Sequence, residues 1–284
     1  MPLVSMSEML KKAKAGKYAV GQFNMNNLEF TQAIVEVAEE EKSPVILGVS
    51  EGALKYMGLE YTVAMAEAAA RTSSVPIALH LDHGSSFEVA MKLIKAGFSS
   101  VMIDGSHHPF EENVKITQQV VAASHAMGVS VEGELGTIGG TEDDLTVAEE
   151  DAKLTKPEEA IEFYKLTNVD ALAIAVGSAH GMYKGVPKIR FDIIEAVSKE
   201  IDIPLVLHGG SGIPDEAVAK AISLGIGKVN VNTENQVEMT KKIREVFAND
   251  AKVYDPRKYL GPGRQAIKDV VRAKIRLFGS NGKA

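Results

Sequence analysis

Pro76-Ile77-Ala78-Leu79-His80-Leu81-Asp82-His83-Gly84 opens on a proline, runs through a short β-prone apolar segment, and closes on a carboxylate, an imidazole and a glycine. Such a run reads as a strand buried on both faces that gives way to a loop at its C-terminal end. Two further stretches are built alike: Ala173-Ile174-Ala175-Val176-Gly177-Ser178-Ala179-His180-Gly181 and Pro204-Leu205-Val206-Leu207-His208-Gly209-Gly210-Ser211-Gly212. In each, a histidine falls just past a buried strand.

The same strand-then-helix alternation extends outward in both directions. A short helix over 7–15 precedes a first strand, Tyr18-Ala19-Val20-Gly21-Gln22-Phe23, which ends in Asn24-Met25-Asn26-Asn27. Helical spacing from Leu28 to Glu41 is stopped by Pro44, and Val45-Ile46-Leu47-Gly48-Val49 is the next strand. Helices are then expected near 60–72, 86–96, 111–127, 157–166, 190–200, 214–224 and 233–248, and strands at 76–81, 100–103, 129–134, 171–176, 203–207 and 228–231. Continuous apolar strands in strict alternation with helices imply parallel pairing through right-handed crossovers. Eight such units make an α/β chain that closes as a single (β/α)8 TIM barrel over residues 1–284, with a doubly wound open sheet as the alternative. The barrel is favoured by its polar residues. Asn24, Ser50, Asp82, His83, Asp104, Glu132, Glu134, His180, His208 and Asn230 all fall at or just past a strand's C-terminal end, the face where barrels of this kind carry their reactive groups.

Two segments depart from the repeat. Residues 137–156, with Gly139-Gly140-Thr141-Glu142-Asp143-Asp144, are too long and acidic for a simple connection and read as a mobile active-site loop or a disordered insertion. The C-terminal extension, 250–284, reads as a turn through Tyr254-Asp255-Pro256-Arg257-Lys258-Tyr259-Leu260-Gly261-Pro262 and a final helix over 264–278 that the barrel count does not require. Packing on a neighbouring subunit or over the barrel rim is its expected use.

Composition narrows the chemistry. A charged fraction of 24% and a net charge of -7 describe a mildly acidic surface that makes nucleic acid an unsuitable partner. No stretch approaches the roughly 20 apolar residues of a membrane span, and the N-terminus lacks a secretory pattern, so no membrane is expected and a cytoplasmic location is. With no cysteine in the chain, histidines and carboxylates are the only strong metal ligands. His83, His180 and His208 at equivalent strand ends suit a catalytic Zn2+ with one open position, other divalent first-row ions being possible; the plain alternative is three loop histidines that bond locally. His80, inside its strand, reads as a packed residue behind the site, His125 as a partner of a helix dipole, and His107 and His108 as loop structure. Asp82 is either a general acid/base or the partner of a histidine N–H. Asp104 and Glu134 could bind a second cation or orient ligands.

Gly209-Gly210-Ser211-Gly212-Ile213-Pro214 and Asn230-Val231-Asn232-Thr233 offer backbone N–H groups and hydroxyls at the loops after strands seven and eight, the usual phosphate position of this barrel. A glycine-rich turn used only for packing is the alternative. A metal with an open position beside a phosphate suits a phosphorylated ketone whose carbonyl is polarised toward an enolate. The other route to an enolate, a Schiff base on a strand lysine, has no candidate: strand six carries none and Lys228 begins strand eight at the wrong end.

Leu79-His80-Leu81-Asp82-His83-Gly84, Ser99 through His107, Val131-Glu132-Gly133-Glu134-Leu135-Gly136, Gly177-Ser178-Ala179-His180-Gly181, Leu207 through Gly212 and Val229-Asn230-Val231-Asn232-Thr233 together resemble the class II, metal-dependent ketose-bisphosphate aldolases, from Pro2 to the C-terminus. The resemblance implies catalytic zinc on His83, His180 and His208, with Asp104 and Glu134 taking the zinc or a second divalent ion. It implies Asp82 as the acid that protonates the aldehyde oxygen and Glu142 as the base that removes the C1 proton of dihydroxyacetone phosphate, giving a zinc-stabilised enediolate. It places that substrate's phosphate on Gly181, Gly209, Gly210, Ser211, Asn230, Asn232 and Thr233, with a monovalent cation, Na+ or K+, nearby. Ser50 and Arg257 resemble positions that meet the aldehyde and its distal phosphate, Arg257 from a neighbouring subunit of a homodimer or homotetramer. The expected reaction is reversible cleavage of fructose 1,6-bisphosphate to dihydroxyacetone phosphate and glyceraldehyde 3-phosphate. Ala179-His180-Gly181-Met182-Tyr183 looks instead like tagatose-bisphosphate aldolases, so the tagatose isomer, another phosphorylated ketose or a sulfo-sugar is the alternative. A phosphosugar-binding barrel without catalysis is the alternative of another class. A dinucleotide-dependent oxidoreductase is disfavoured, because no Gly-x-Gly-x-x-Gly pattern follows the first strand.

Overall fold

A computed structural model describes residues 2–142, 145–148, 152–181, 183 and 185–284, without the side chains of 142 and 145–147. In chain order the elements begin α1 (Met6–Gly16), β1 (Val20–Asn24), α2 (Leu28–Glu41), β2 (Val45–Val49), α3 (Glu51–Met57), α4 (Leu59–Thr72), β3 (Ile77–Gly84), α5 (Phe87–Ala96), β4 (Ser100–Ile103), α6 (Phe110–Ala126) and β5 (Ser130–Leu135). They continue with β6 (Gly139–Glu142), β7 (Leu145–Val147), α7 (Pro157–Thr167), β8 (Ala171–Ile174), β9 (Ala179–His180), α8 (Phe191–Glu200), β10 (Leu205–Leu207), α9 (Asp215–Ser223), β11 (Ile226–Val231), α10 (Thr233–Asn249) and α11 (Pro256–Phe278). Eight parallel strands close in the order β1-β11-β10-β8-β5-β4-β3-β2, as the alternation predicts. Several helix starts are fixed by local chemistry: Ser5, Asn27 and Ser86 each accept a backbone N–H at the heads of α1, α2 and α5.

The pleat sorts each strand's side chains. Phe23, Leu47, Leu79, Val101, Val131, Leu172, Leu207 and Val229 belong to the main apolar core with the surrounding helices. Residues of opposite parity point into the barrel. At its lower end Val20, Ile46, Ala78, Ala171, Ala173 and Val206 form a second small core with Met6, Met9 and Leu10 of α1. The helix α1 plugs that end, and its Lys14 Nζ donates to the Ile201 and Ile203 carbonyls at 2.5 and 3.0 Å. Higher up, the same inward face carries buried Gln22, Asn24, His80, Asp82, Ser100, Glu132, Glu134, His208, Lys228 and Asn230. A dry floor therefore lies under a polar upper chamber.

Three elements differ from the sequence reading. Ser50, at the end of β2, accepts the Ala53 N–H at 3.2 Å and starts the short helix α3, which periodicity alone does not reveal. The described part of 137–156 contains a hairpin, β6 antiparallel to β7, and β6 pairs parallel with β9 so that Gly140 stands opposite His180. The long loop is thus hydrogen-bonded to the strand that carries a proposed metal ligand. The third difference is α11, which starts at Pro256 and takes Pro262 within it.

That helix is more than an appendage. It contacts α2, α9, α10 and β1, and buries Ile267, Val271, Ile275 and Phe278 to 1% exposure or less. By contrast α10, which follows the last barrel strand, buries only Asn235 and Met239. The wall position beside β1 is therefore filled by α11, with α10 outside it. A row of ion pairs to α2 sets its register: Arg264–Glu36, Lys268–Glu36, Lys268–Glu40, Arg272–Glu40 and Arg276–Glu41. Such partly exposed pairs contribute about 0–1 kcal/mol each, so burial of the apolar face dominates, at about 1.5–3 kcal/mol per large side chain. Ile275→Ala should therefore cost about 2–5 kcal/mol in a urea titration; a loss below 1 kcal/mol would mean that the barrel closes without this helix.

Candidate metal centre and phosphate cleft

The structure brings His83, His180 and His208 together: a ligand nitrogen from each lies within 4.8 Å of the others. The rings stand nearly edge to face, with His83 at 5.1 Å from His180 and 4.7 Å from His208 between centroids. His208 Nδ1 is 3.0 Å from His83 Nε2. Two ligands bound tetrahedrally to zinc at its usual Zn–N length stand about 3.3 Å apart, so the rings need little adjustment to share an ion.

Asp82 and His83 are consecutive, and a regular strand would send them to opposite faces. The backbone resolves this by placing His83 at φ +51°, in the left-handed region, while the β3–β4 register shifts between Leu81 and Gly84. Both side chains then face the chamber. A non-glycine residue held there costs of order 1–3 kcal/mol and persists only where its surroundings over-determine it. Here the surroundings include Asp104 Oδ2, 3.0 Å from His83 Nδ1, which leaves Nε2 for the metal.

His208 is oriented from below. Its Nε2 lies 2.9 Å from Glu132 Oε1, so Nδ1 faces His83 and the metal position. Glu132 also meets Lys228 Nζ at 2.8 Å and His80 Nε2 at 3.6 Å, all four side chains being fully buried. Lys228 Nζ donates on to Asn230 Oδ1 at 2.8 Å, and Asn230 Nδ2 donates to Asp82 Oδ1 at 3.2 Å. Asn24 Nδ2 donates to the other Asp82 oxygen at 3.2 Å. The floor of the site is one continuous polar network.

Burial opposes charge on all these groups, but their partners decide the outcome differently. Burial alone would raise Asp104; the hydrogen bond and charge of His83, with Ser106, hold it well below the usual carboxylate range. For Glu132 the Lys228 charge and the His208 hydrogen bond likewise outweigh burial and keep it ionised. For Glu134 the pull of His83 does not suffice: burial, then the Asp104 charge, push it well above the normal value. His80 falls to about 3 through burial and the Lys228 charge, so it is a neutral ring bonded to Ser100 Oγ at 2.8 Å.

The donor set fits a divalent metal. Three imidazoles with no sulfur are standard zinc ligands, and His83, Asp104 and Glu134 form a second convergent set on the far side of the His83 ring. Among the described residues, buried Glu134 Oε2 has no hydrogen-bond partner; it lies 3.9 Å from both His83 Nδ1 and His208 Nδ1. A buried acceptor pointed at two ligand rings is where a cation would be welcome.

Beside this centre Gly181, Gly209, Ser211, Asn230, Asn232 and Thr233 line one small cleft with His180. Six of the seven residues expected to hold phosphate therefore share a wall. The seventh, Gly210, gives its N–H to the Asn230 carbonyl at 2.9 Å and acts as a strut. Ser211 Oγ accepts the Glu234 N–H, which leaves its proton to donate, and the head of α10 points at the same cleft. Asn26 Nδ2 donates to Asn232 Oδ1 at 3.1 Å and leads to a neighbouring cleft of about 500 Å³ between α2, α3 and α10.

Two glycines make the approach to His180 possible. A Cβ at Gly140 (φ +101°) would lie 2.1 Å from the His180 carbonyl oxygen, and one at Gly209 (φ +64°) 2.2 Å from that of Ala179. Tyr183 ties the two loops, its hydroxyl accepting from Ala179 N at 2.8 Å and donating to the Gly209 carbonyl at 2.9 Å. Burial pushes this phenol up to about 12, so it stays a neutral donor.

Sequence reasoning picks out the three histidines and most of the cleft residues that the structure brings together; it places Glu132 on this face without a role, sets Lys228 aside and gives Tyr183 none. Parity holds the missing signal: Glu132 and Lys228 lie two residues from Glu134 and Asn230, on the same faces. Ser50 is buried at the head of α3 beside the larger cleft. Arg257 is not brought into the set, since its side chain is 88% exposed and paired with Asp255 at 2.8 Å. The backbone of Glu142 ends β6, two residues past the one opposite His180, but its side chain lies outside the described residues. His125 gains a partner beyond the helix dipole, Asp170 at 2.8 Å, and His107 and His108 stack on each other in their loop.

A parallel barrel whose three convergent histidines could hold a metal, beside a cleft of backbone N–H groups and hydroxyls, is the arrangement that a metal-dependent enzyme of phosphorylated substrates requires. The comparisons with known proteins narrow this. The family model described as fructose-bisphosphate aldolase class-II matches residues 4–283, and the chain belongs to that family. A fructose-bisphosphate aldolase of Geobacillus stearothermophilus is 60% identical over 287 residues, covering all of this chain and 99% of the relative. One of Staphylococcus epidermidis is 56% identical with full coverage of both. The crystal structure of the YdjI aldolase from Escherichia coli K12 superposes with a TM-score of 0.86 at 34% identity, covering 99% of each chain. Among the described residues no helix is long and apolar enough to cross a membrane.

The Gly209 geometry yields a direct test. Gly209→Ala adds a clash and left-handed strain of order 1–3 kcal/mol, and inhibition by inorganic phosphate should weaken by about tenfold or more. Unchanged inhibition would remove this loop from the phosphate site.

Proposed function

We propose that the enzyme reversibly cleaves fructose 1,6-bisphosphate to dihydroxyacetone phosphate and glyceraldehyde 3-phosphate. The observation that carries this reading is the convergence of three imidazole nitrogens within 4.8 Å, with buried Asp82 and the phosphate cleft beside them. His83, His180 and His208 would hold the catalytic zinc, whose chemistry is to polarise the ketone carbonyl and stabilise charge on its oxygen.

The remaining work falls to the chain. Gly181, Gly209, Ser211, Asn230, Asn232 and Thr233 hold the phosphate of the ketone half and so fix the reacting carbons beside Asp82. In cleavage Asp82 takes the C4 hydroxyl proton as the C3–C4 bond breaks; in condensation it returns that proton to the aldehyde oxygen. The Asn24 and Asn230 amides each donate to one of its oxygens and fix its direction. Glu142 moves the proton at the carbon that becomes C1 of dihydroxyacetone phosphate. The pairing of β6 with β9 brings its backbone toward His180, and closure of 137–156 over the substrate would exclude water from that step. Ser50 meets the aldehyde half, and Arg257 of a neighbouring subunit its distal phosphate, for which a bidentate guanidinium is suited. Asp104 and Glu134 serve a second or displaced divalent ion, and a monovalent cation sits near the phosphate. The working protein is a cytoplasmic homodimer or homotetramer.

The relatives' names favour the fructose isomer over tagatose, which differs at C4 only. Side-by-side cleavage of the two bisphosphates should give a kcat/KM at least tenfold higher for fructose; the reverse ratio would reassign the substrate. Chelation should abolish cleavage and zinc restore it, and borohydride with substrate should leave no covalent adduct. Asp82→Asn should lower kcat by about 100-fold or more with zinc content unchanged. Glu142→Ala should lose proton exchange into dihydroxyacetone phosphate and keep its zinc. Retained cleavage in both variants would contradict the assigned roles, and a chain that binds phosphosugar without any turnover would be a binding barrel instead.

A further inference from the structure

A lysine in the middle of an aldolase barrel invites a covalent role, yet Lys228 is built for another. Its side chain is fully buried, as is that of Glu132, and the two meet at 2.8 Å. Glu132 spends its second oxygen on His208 Nε2 at 2.9 Å. One carboxylate therefore bridges the ammonium to a metal ligand. On the other side Lys228 donates to Asn230 Oδ1 at 2.8 Å, so the amide must turn its NH2 end toward Asp82, 3.2 Å away. An ammonium has three donors and no acceptor. Any carbonyl or carboxylate oxygen next to it is thereby oriented, and the groups beyond are left with one polarity to present. Without the lysine, the Asn230 amide could flip and set oxygen against oxygen at Asp82, and Glu132 could turn away from His208.

We propose that Lys228 is a positioning residue for the aldol reaction, holding the ring of His208 through Glu132 and the amide that faces Asp82 through Asn230. This rests on the reading of His208 as a metal ligand and Asp82 as the acid. The competing account is that Lys228 and Glu132 merely neutralise one another inside the barrel. The accounts part on a charge-balanced replacement. Exchanging a buried ion pair for neutral residues of similar volume is often neutral or stabilising, so the fold should survive where the positioning does not.

The test is Lys228→Met combined with Glu132→Gln, read against Glu132→Gln alone, which changes the carboxylate at His208 and keeps the lysine. With positioning, the folded double variant should lose about 30-fold or more in kcat for fructose 1,6-bisphosphate with KM changed less than threefold. Its zinc dissociation constant, from chelator competition, should rise about tenfold, the usual effect of losing a group that orients a metal-bound histidine. If kcat and zinc affinity both stay within twofold, Lys228 only fills the barrel. The unaltered protein gives an independent measurement should the double variant fail to fold. In the zinc-loaded protein, nitrogen-15 spectra should show His208 with its proton on Nε2 and metal on Nδ1, and an ammonium signal from Lys228 protected from exchange. The opposite tautomer, or an unprotected ammonium, overturns the proposal. Failure of the unaltered protein to bind zinc or to cleave the sugar would instead defeat the functional reading on which it stands.

Discussion

Two imidazole nitrogens, on His83 and His208, face each other at 3.0 Å. Neutral imidazoles carry one proton between two nitrogens, so the edge each presents depends on what holds the other edge. Asp104 holds one ring and Glu132 the other. These carboxylates in turn depend on buried partners, and the chain of dependence runs down through Lys228 and across to Asp82. The candidate metal centre is therefore one end of a polar network that runs through the upper chamber.

The fold supplies what such a network needs. Buried ionised groups survive only when each has a partner, and a parallel barrel offers an inward face every second residue on eight strands. The lower end of that face carries apolar side chains sealed by α1, which keeps solvent from reaching the polar groups from beneath. Rigid strands fix the floor, while His180 and Gly209 of the candidate phosphate cleft sit on loops tied together by Tyr183. Precision is concentrated where charge must be placed, and adaptability where substrate must enter.

Much of this was legible from sequence because the strands are short, apolar and end in glycine or polar residues. The barrel, the candidate histidine triad and the two stretches 209–214 and 230–233 offered for phosphate follow from position, whereas Gly181 comes only with the family resemblance. What was not legible depended on three-dimensional neighbours. Asp82 and His83 can share a cavity only because His83 adopts a left-handed backbone, which no local pattern announces for a histidine. Lys228 reads as sitting at the wrong end of its strand, yet its long stem carries the ammonium up to Glu132. The short helix α3 is too brief to show a period, and the final helix looks superfluous until the outer placement of α10 is known.

That last arrangement bears on how the barrel closes. The helix that immediately follows β11 does not seal the seam beside β1; the seal is made by the helix after it. Until that helix docks, the faces of α2 and β1 that it contacts lack their cover. Closure of the first unit against the last therefore depends on a segment far from it in sequence, a contact of high loop-closure cost.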